Sequence, residues 1–212
     1  MSGLPKERTA RVDWVLSAKT PKETRNRYDT WAPQYDTDLT EVDGWLGPTY
    51  AAREVARKLD PSARILDAGC GTGLSGEALR SAGFDHLTGV DFSEGMLAVA
   101  RQKNVFESLK QADLGKSLDF VEDQFDAVVT VGTSFQMPVE SYREFARITR
   151  PGGWIFYCGD FQQFDERGFA AICKELCSKG ALEEIERTEN FTPLPNSEPD
   201  IVYKVIIHRV IS

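Results

Sequence analysis

Histidine is scarce in this chain of 212 residues: only His86 and His208 occur, far apart in sequence. Cysteine is sparse too, at Cys70, Cys158, Cys173 and Cys177. Cys173 and Cys177 share a helix face, but no histidine accompanies them, so a zinc site lacks its ligand set and no metal is expected. The cysteines read as buried, reduced thiols. No apolar run approaches the roughly 18 residues that a membrane span requires. The first ten residues contain no apolar core of a secretory leader. These absences point to a cytoplasmic protein without a membrane partner, and the size suggests a monomer.

Positive charge is missing from most of the chain. Residues 1–27 carry seven basic side chains against three acidic ones, a net +4, which leaves −12 on the remainder of a chain whose formal charge is −8. An acidic body repels a phosphate backbone, so free nucleic acid is not an expected partner. The basic residues near the start read as a flexible, solvated tail over residues 1–20. The composition is otherwise ordinary for one globular domain, with 41% hydrophobic and 27% charged residues, so a core of normal size is expected.

Thr20-Pro21-Lys22-Glu23 has the form of a capping box with proline at the first helical position. A helix is predicted from there to about Pro33, and a second from about Thr49 to Leu59, with Ala52, Val55, Ala56 and Leu59 as its apolar face. These make an N-terminal helical cap over residues 21–60. From Ala63 onward short apolar strands alternate with helices. Strands are predicted at 64–68, 86–91, 109–112, 125–131 and 154–158, with helices at 75–82, 93–103, 139–148 and 164–178. Two extended segments, 182–191 and 200–210, close the chain around a proline-rich loop. The pattern predicts an α/β fold: a doubly wound, seven-stranded, mostly parallel sheet with an antiparallel last strand, over residues 61–212.

The segment with the most chemistry is Asp67-Ala-Gly-Cys-Gly-Thr-Gly73, between the first strand and its helix. Glycines here let backbone approach a ligand at the carboxyl edge of the sheet. Asp91 ends the second strand, 18 residues past Gly73, where a carboxylate accepts hydrogen bonds from ribose hydroxyls. Gly71, Gly73 and Gly76 also fit G-x-G-x-x-G, so a nucleotide-linked oxidoreductase stands as an alternative. Asp67 argues against it, because an acid before the glycines suits an ammonium and repels a pyrophosphate.

Ile65 to Gly73 resembles the first motif of the class I S-adenosylmethionine-dependent methyltransferases. Gly89-Val-Asp-Phe-Ser-Glu-Gly-Met96, Ala112-Asp-Leu114, Phe125-Asp-Ala-Val-Val129 and Arg147-Ile-Thr-Arg-Pro-Gly-Gly153 resemble later motifs of that family, in order. Tyr28-Asp-Thr-Trp-Ala-Pro-Gln-Tyr-Asp36 is similar to the methyltransferase-like proteins of the Williams–Beuren syndrome region, and more distantly to the ubiquinone and menaquinone methyltransferases. The resemblance implies a Rossmann-like domain, S-adenosylmethionine as cofactor, S-adenosylhomocysteine as product and methylation of a small-molecule acceptor. A non-catalytic cofactor-binding module acting through a partner is the other alternative.

The resemblance also implies roles. Asp67, directly or through a water, and the backbone at Gly69 hold the methionine part, Cys70, Gly71 and Gly73 belong to the same cofactor-binding loop, and Asp91 holds the ribose. Phe92, Met96, Ala112, Asp113 and Leu114 surround the adenine, with plain core packing as the less favoured reading of Phe92 and Met96. Val131, Gly132 and Phe135 face the methionine and the acceptor. The stretch Gly132-Thr-Ser-Phe135 lacks the Asn/Asp-Pro-Pro-aromatic motif of many amino-group methyltransferases. Tyr28, Trp31 and Tyr35 share one helix face and either close the cofactor pocket or anchor the helix. No catalytic base stands out; Asp36 and Asp160 are the best-placed carboxylates.

Overall fold

The computed structural model describes residues 3–212, apart from the side chain of Thr9. Five strands are parallel: β1 (Ile65–Ala68), β2 (Leu87–Asp91), β3 (Ser108–Gln111), β4 (Phe125–Val131) and β5 (Thr149–Asp160). The last two, β6 (Leu182–Arg187) and β7 (Tyr203–Val210), complete a seven-stranded sheet in the order β3-β2-β1-β4-β5-β7-β6. β7 runs antiparallel between β5 and β6. This is the α/β sheet that the alternation of apolar segments predicts.

The central strands β1, β4 and β5 are buried on both faces, which is why they are apolar at consecutive positions and not at every second one. In β5, Ile155 and Tyr157 face α6 (Ser141–Ile148) and α8 (Phe169–Ser178), while Phe156 and Cys158 face α3 (Gly47–Ala56) and α4 (Leu74–Ser81). Each of these four strand residues is at most 1% exposed. α5 (Glu94–Lys103) starts at Ser93, whose hydroxyl accepts from the Met96 amide at 3.1 Å as an N-cap. The segment predicted as one helix over 164–178 is two, α7 (Phe161–Glu166) and α8, because Gly168 turns the chain with φ of +97°. All four cysteines are free thiols, three of them buried.

The N-terminal region departs from expectation. Residues 1 and 2 of the expected tail lie outside the described residues. Within that stretch, α1 (Arg8–Leu16) is a helix, not flexible chain. It is docked by Val15, 2% exposed, in a cluster with Trp31, Leu39 and Leu194. Its basic residues pair with acids of the body: Arg8 with Asp43 at 2.5 Å and Glu198 at 2.7 Å, and Arg11 with Asp38 at 2.5 Å. Two of the basic residues expected on a solvated face, Arg8 and Arg11, are therefore the complement of acids distant in sequence.

α2 (Pro21–Thr37) runs straight through Pro33 and into a π-helical turn over Asp38–Val42. Pro33 cannot donate to the carbonyl of Asp29, and a proline inside a helix costs about 3 kcal/mol. Burial of Trp31 and Ala32 on the body offsets this. The backbone of Asp29 is also where α5 comes closest. A Cβ added to Gly95 would lie 2.6 Å from the Asp29 Cα and 2.9 Å from its carbonyl oxygen. Asp29 Oδ1 accepts from the Gly95 amide at 2.9 Å and the Ser93 hydroxyl at 2.6 Å.

A methyl group at position 95 has no room, so Gly95→Ala is expected to lower the unfolding free energy by roughly 1–3 kcal/mol. Glu94→Ala, at the exposed neighbouring position, should change it by less than about 0.5 kcal/mol. Urea titrations of the two variants check this; equal effects would show that α2 does not hold its close approach to α5.

Candidate functional site

The strand order reverses beside β1: β2 and β3 lie on one side of it, β4 and β5 on the other. A crevice opens at such a point above the carboxyl ends of the strands. The glycine loop forms its floor. Gly69 and Cys70 donate their amides to the Val90 carbonyl at 2.8 and 3.0 Å, which ties the loop to β2. Gly71 has φ of +54°, and a Cβ there would project into open space rather than protein. Gly73, with φ of +92°, turns the chain into α4.

Above this floor lies a cavity in two compartments, one of about 530 Å³ and one of about 190 Å³. Tyr28, Tyr35, Gly69, Gly71, Val131, Gly132 and Phe135 line both. Asp91, Phe92, Met96, Ala112, Asp113 and Leu114 line the larger one alone. Trp31 and Cys70 line the smaller one alone. Fifteen of the seventeen residues singled out in the sequence thus converge on one cavity. Asp67 and Gly73 are set back from it and absent from its wall.

Asp91 is bonded on both sides. Its Oδ2 accepts from the Gly71 amide at 2.9 Å and its Oδ1 from the Ser93 amide at 2.8 Å. Each oxygen keeps a lone pair for a further donor. Burial pushes the Asp91 carboxyl up to about 6, against the stabilising pull of those amides. Asp67 is fully buried. Its Oδ2 accepts from the Ser75 hydroxyl at 2.5 Å, and its Oδ1 has no partner among the described residues. Burial pushes this carboxyl up to about 7, with the charge of Asp91 adding to the shift.

α2 lies over the crevice. Tyr28 meets Phe92 edge to face at 6.0 Å, and Trp31 meets Tyr35 at 4.8 Å. Trp31 is only 3% exposed and donates its indole N–H to Asp38 at 2.6 Å. It therefore anchors the cap as well as edging the cavity, while Tyr28 and Tyr35 are half-buried walls of both compartments. Burial raises the phenols of Tyr28 and Tyr35, so both stay protonated at neutral pH.

Neither carboxylate considered as a base reaches the cavity. Asp36 takes the Thr72 hydroxyl on one oxygen and Lys103 on the other, at 2.7 Å. Asp160 caps α7, accepting from the amides of Gln162 and Gln163 at 2.9 and 3.2 Å. His86 pairs with Glu107 at the surface at 2.9 Å. His208 is buried against Tyr142, and burial pulls it down to about 4.

Several wall residues escape a reading of the sequence. Val12, Val15 and Leu16 come from α1, where their helical spacing is the available signal. Leu194, Ile201 and Tyr203 come from the far end of the chain. The link that brings them in is a pair of backbone bonds, Leu46 to the Pro193 carbonyl at 2.9 Å and Asn196 to the Asp43 carbonyl at 3.2 Å. No local pattern signals these.

Asp67, buried and raised above its unfolded value, contributes stability below about pH 4 that is lost as pH rises through about 7. Asp67→Asn keeps the size and a hydrogen-bonding oxygen, so the ligand-free variant should show a flatter loss of stability between about pH 4 and 7. It should also be more stable than the parent at about pH 8. Urea titrations across this range test the point; an unchanged slope would mean that Asp67 is ionised throughout.

Comparison with known proteins agrees with this geometry. A family profile described as a methyltransferase domain matches residues 65–153. Human methyltransferase-like protein 27 is 39% identical over 134 residues, 60% of this chain and 54% of the human protein, so the match spans about half the relative's length. The demethylmenaquinone methyltransferase of Mycobacterium sp. strain KMS is 33% identical over 183 residues, 82% of this chain and 75% of that protein. In structure, a TehB-like S-adenosylmethionine-dependent methyltransferase from Corynebacterium glutamicum aligns with a TM-score of 0.65 at 20% identity, over 87% of this chain and 98% of that one. The glycine loop and the acid ending β2 both lie within the stretch that the family profile matches. On that combined ground, the chain belongs to the S-adenosylmethionine-dependent methyltransferases.

Proposed function

We propose that the larger compartment holds S-adenosylmethionine and that the methyl group passes to a small molecule. The observation that carries the cofactor placement is Asp91: a carboxylate fixed by two amides, with lone pairs to spare at the edge of the cavity. These lone pairs suit the two ribose hydroxyls. Phe92, Met96 and Leu114 suit the faces of the adenine, and Asp113 its amino group. Gly71 leaves room for the methionine part to lie against backbone, and the unpartnered oxygen of Asp67 supplies acceptor capacity behind the loop.

The bound cofactor supplies a methyl carbon on a positively charged sulfur. The protein's part is to hold an acceptor in line with it and to exclude water. Tyr28 and Tyr35 do both, as aromatic faces that favour a nearby cation and as the roof of the cavity. With both phenols protonated, and Asp36 and Asp160 engaged elsewhere, catalysis rests on position rather than on a dedicated base.

A small-molecule acceptor fits the names of the quinone-modifying relatives, the acidic body and the size of the cavity. No helix among the described residues is long and apolar enough to cross a membrane. We place the protein in the cytoplasm as a monomer that does not use nucleic acid.

Calorimetry with S-adenosylmethionine, S-adenosylhomocysteine and NAD tests the placement. The first two are expected to bind, NAD is not, and Asp91→Ala should weaken binding at least tenfold. Binding of NAD alone would restore the oxidoreductase reading. Because the ribose is best held by an ionised Asp91, affinity should fall below about pH 6, approaching tenfold per pH unit, and Asp91→Asn should flatten the profile. Tyr35→Ala should weaken S-adenosylhomocysteine several-fold with little change in melting temperature; unchanged affinity would remove Tyr35 from the site.

A further inference from the structure

The smaller compartment touches none of Asp91, Phe92, Met96 or Asp113. It opens from the wall shared by Gly69 and Gly132 towards Trp45, Leu194, Ile201 and Tyr203, with Arg8 and Glu198 also in its wall. We propose that this compartment takes the methyl acceptor, and that the part of the acceptor entering it is uncharged and no larger than one six-membered ring with small substituents. The proposal rests on the cofactor placement given above.

Size is the first argument. A cavity of about 150 Å³ holds a benzene molecule, and this one is about 190 Å³. A single substituted ring suits it, and a fused pair of rings would extend out through its open side. Its shape agrees. Trp45 and Tyr203 meet edge to face at 87° with ring centres 5.7 Å apart, a corner for a flat apolar body. Trp45 also lies directly on the shared wall. A Cβ at Gly132 would be 3.1 Å from the indole, and one at Gly47 would be 2.6 Å from it, so the ring is wedged between two glycines.

Charge is the second argument. Arg8 is the one cationic side chain among the described residues in this wall. Its guanidinium already faces Asp43 at 2.5 Å and Glu198 at 2.7 Å. An anionic acceptor would meet the Glu198 carboxylate in the wall and no spare positive charge, because Arg8 is engaged by Glu198 and by the buried Asp43. A protonated amine has no lone pair to offer and would be repelled by the neighbouring sulfonium. A neutral group remains. In the transfer, the acceptor's lone pair forms the bond to the methyl carbon. The pair of the broken carbon–sulfur bond stays on sulfur, and a proton on the attacking atom leaves to water.

The test uses the full chain saturated with S-adenosylhomocysteine and three probes, phenol, benzoate and 1-naphthol, followed by ligand-observed NMR. Phenol should bind, and the other two at least tenfold more weakly. Ile201→Trp should reduce phenol binding at least tenfold while leaving S-adenosylhomocysteine affinity within about twofold. Trp45→Ala should admit 1-naphthol. Benzoate or 1-naphthol binding to the parent as tightly as phenol would overturn the size and charge limits. Loss of S-adenosylhomocysteine affinity in a folded Ile201→Trp would show that the compartment holds part of the cofactor, and would overturn the acceptor assignment alone. Failure of the parent chain to bind S-adenosylhomocysteine would instead remove the cofactor placement, and this proposal with it.

Discussion

The carboxylate of Asp91 is the junction on which the site depends. It takes the amide of Gly71 on one oxygen and that of Ser93 on the other, which fixes the glycine loop against the end of β2 and the start of α5. Ser93 carries the connection further, because its hydroxyl donates to Asp29 on α2. A chain of polar contacts therefore runs from the floor of the cavity through its acidic edge to the cap above it. Asp36, next to Tyr35 near the C-terminal end of α2, makes a second tie through Thr72 and Lys103. These two polar ties add to the burial of Trp31 and Ala32 in fixing α2 over the cavity.

The same arrangement is costly without a ligand. Two acids, Asp67 and Asp91, are buried close to one another, and burial raises both. Buried charge opposes folding unless it is paired. Asp67 has one hydrogen bond and an oxygen left over. An unfavourable burial of this kind at a crevice, in a fold whose central strands are otherwise packed on both faces, marks a place shaped for binding rather than for stability. The surrounding core bears the cost: β1, β4 and β5 are buried on both faces by helices.

Much of the fold is legible from local pattern. β4 falls on Phe125–Val131 because a continuous apolar run rich in valine has no polar face to expose. α5 starts at Ser93 because that side chain caps it. Gly168 gives no clear sign of a break, since a glycine inside a helical pattern is often tolerated; only its left-handed backbone separates α7 from α8. Pro33 has the form of a stop, yet the packing of Trp31 and Ala32 carries the helix past it. The basic start looks solvated in sequence because the acids it meets, Asp38, Asp43 and Glu198, lie up to 190 positions away.

The sequence by itself determined the strand–helix alternation, the glycine loop, the acid ending β2 and the aromatic face of α2. Each depends on residues within a few turns of one another, where periodicity and backbone freedom dominate. The tertiary structure alone decided that Asp67 is set back from the cavity wall, that Asp36 and Asp160 are engaged in structural contacts, and that α1 and the segment around Leu194 to Tyr203 close a second compartment. Those outcomes depend on ion pairs and backbone bonds between distant segments, such as Arg8 with Glu198 and Leu46 with Pro193. Contacts of that range leave no periodic trace in the chain, because they are set by where the packed sheet brings its ends together.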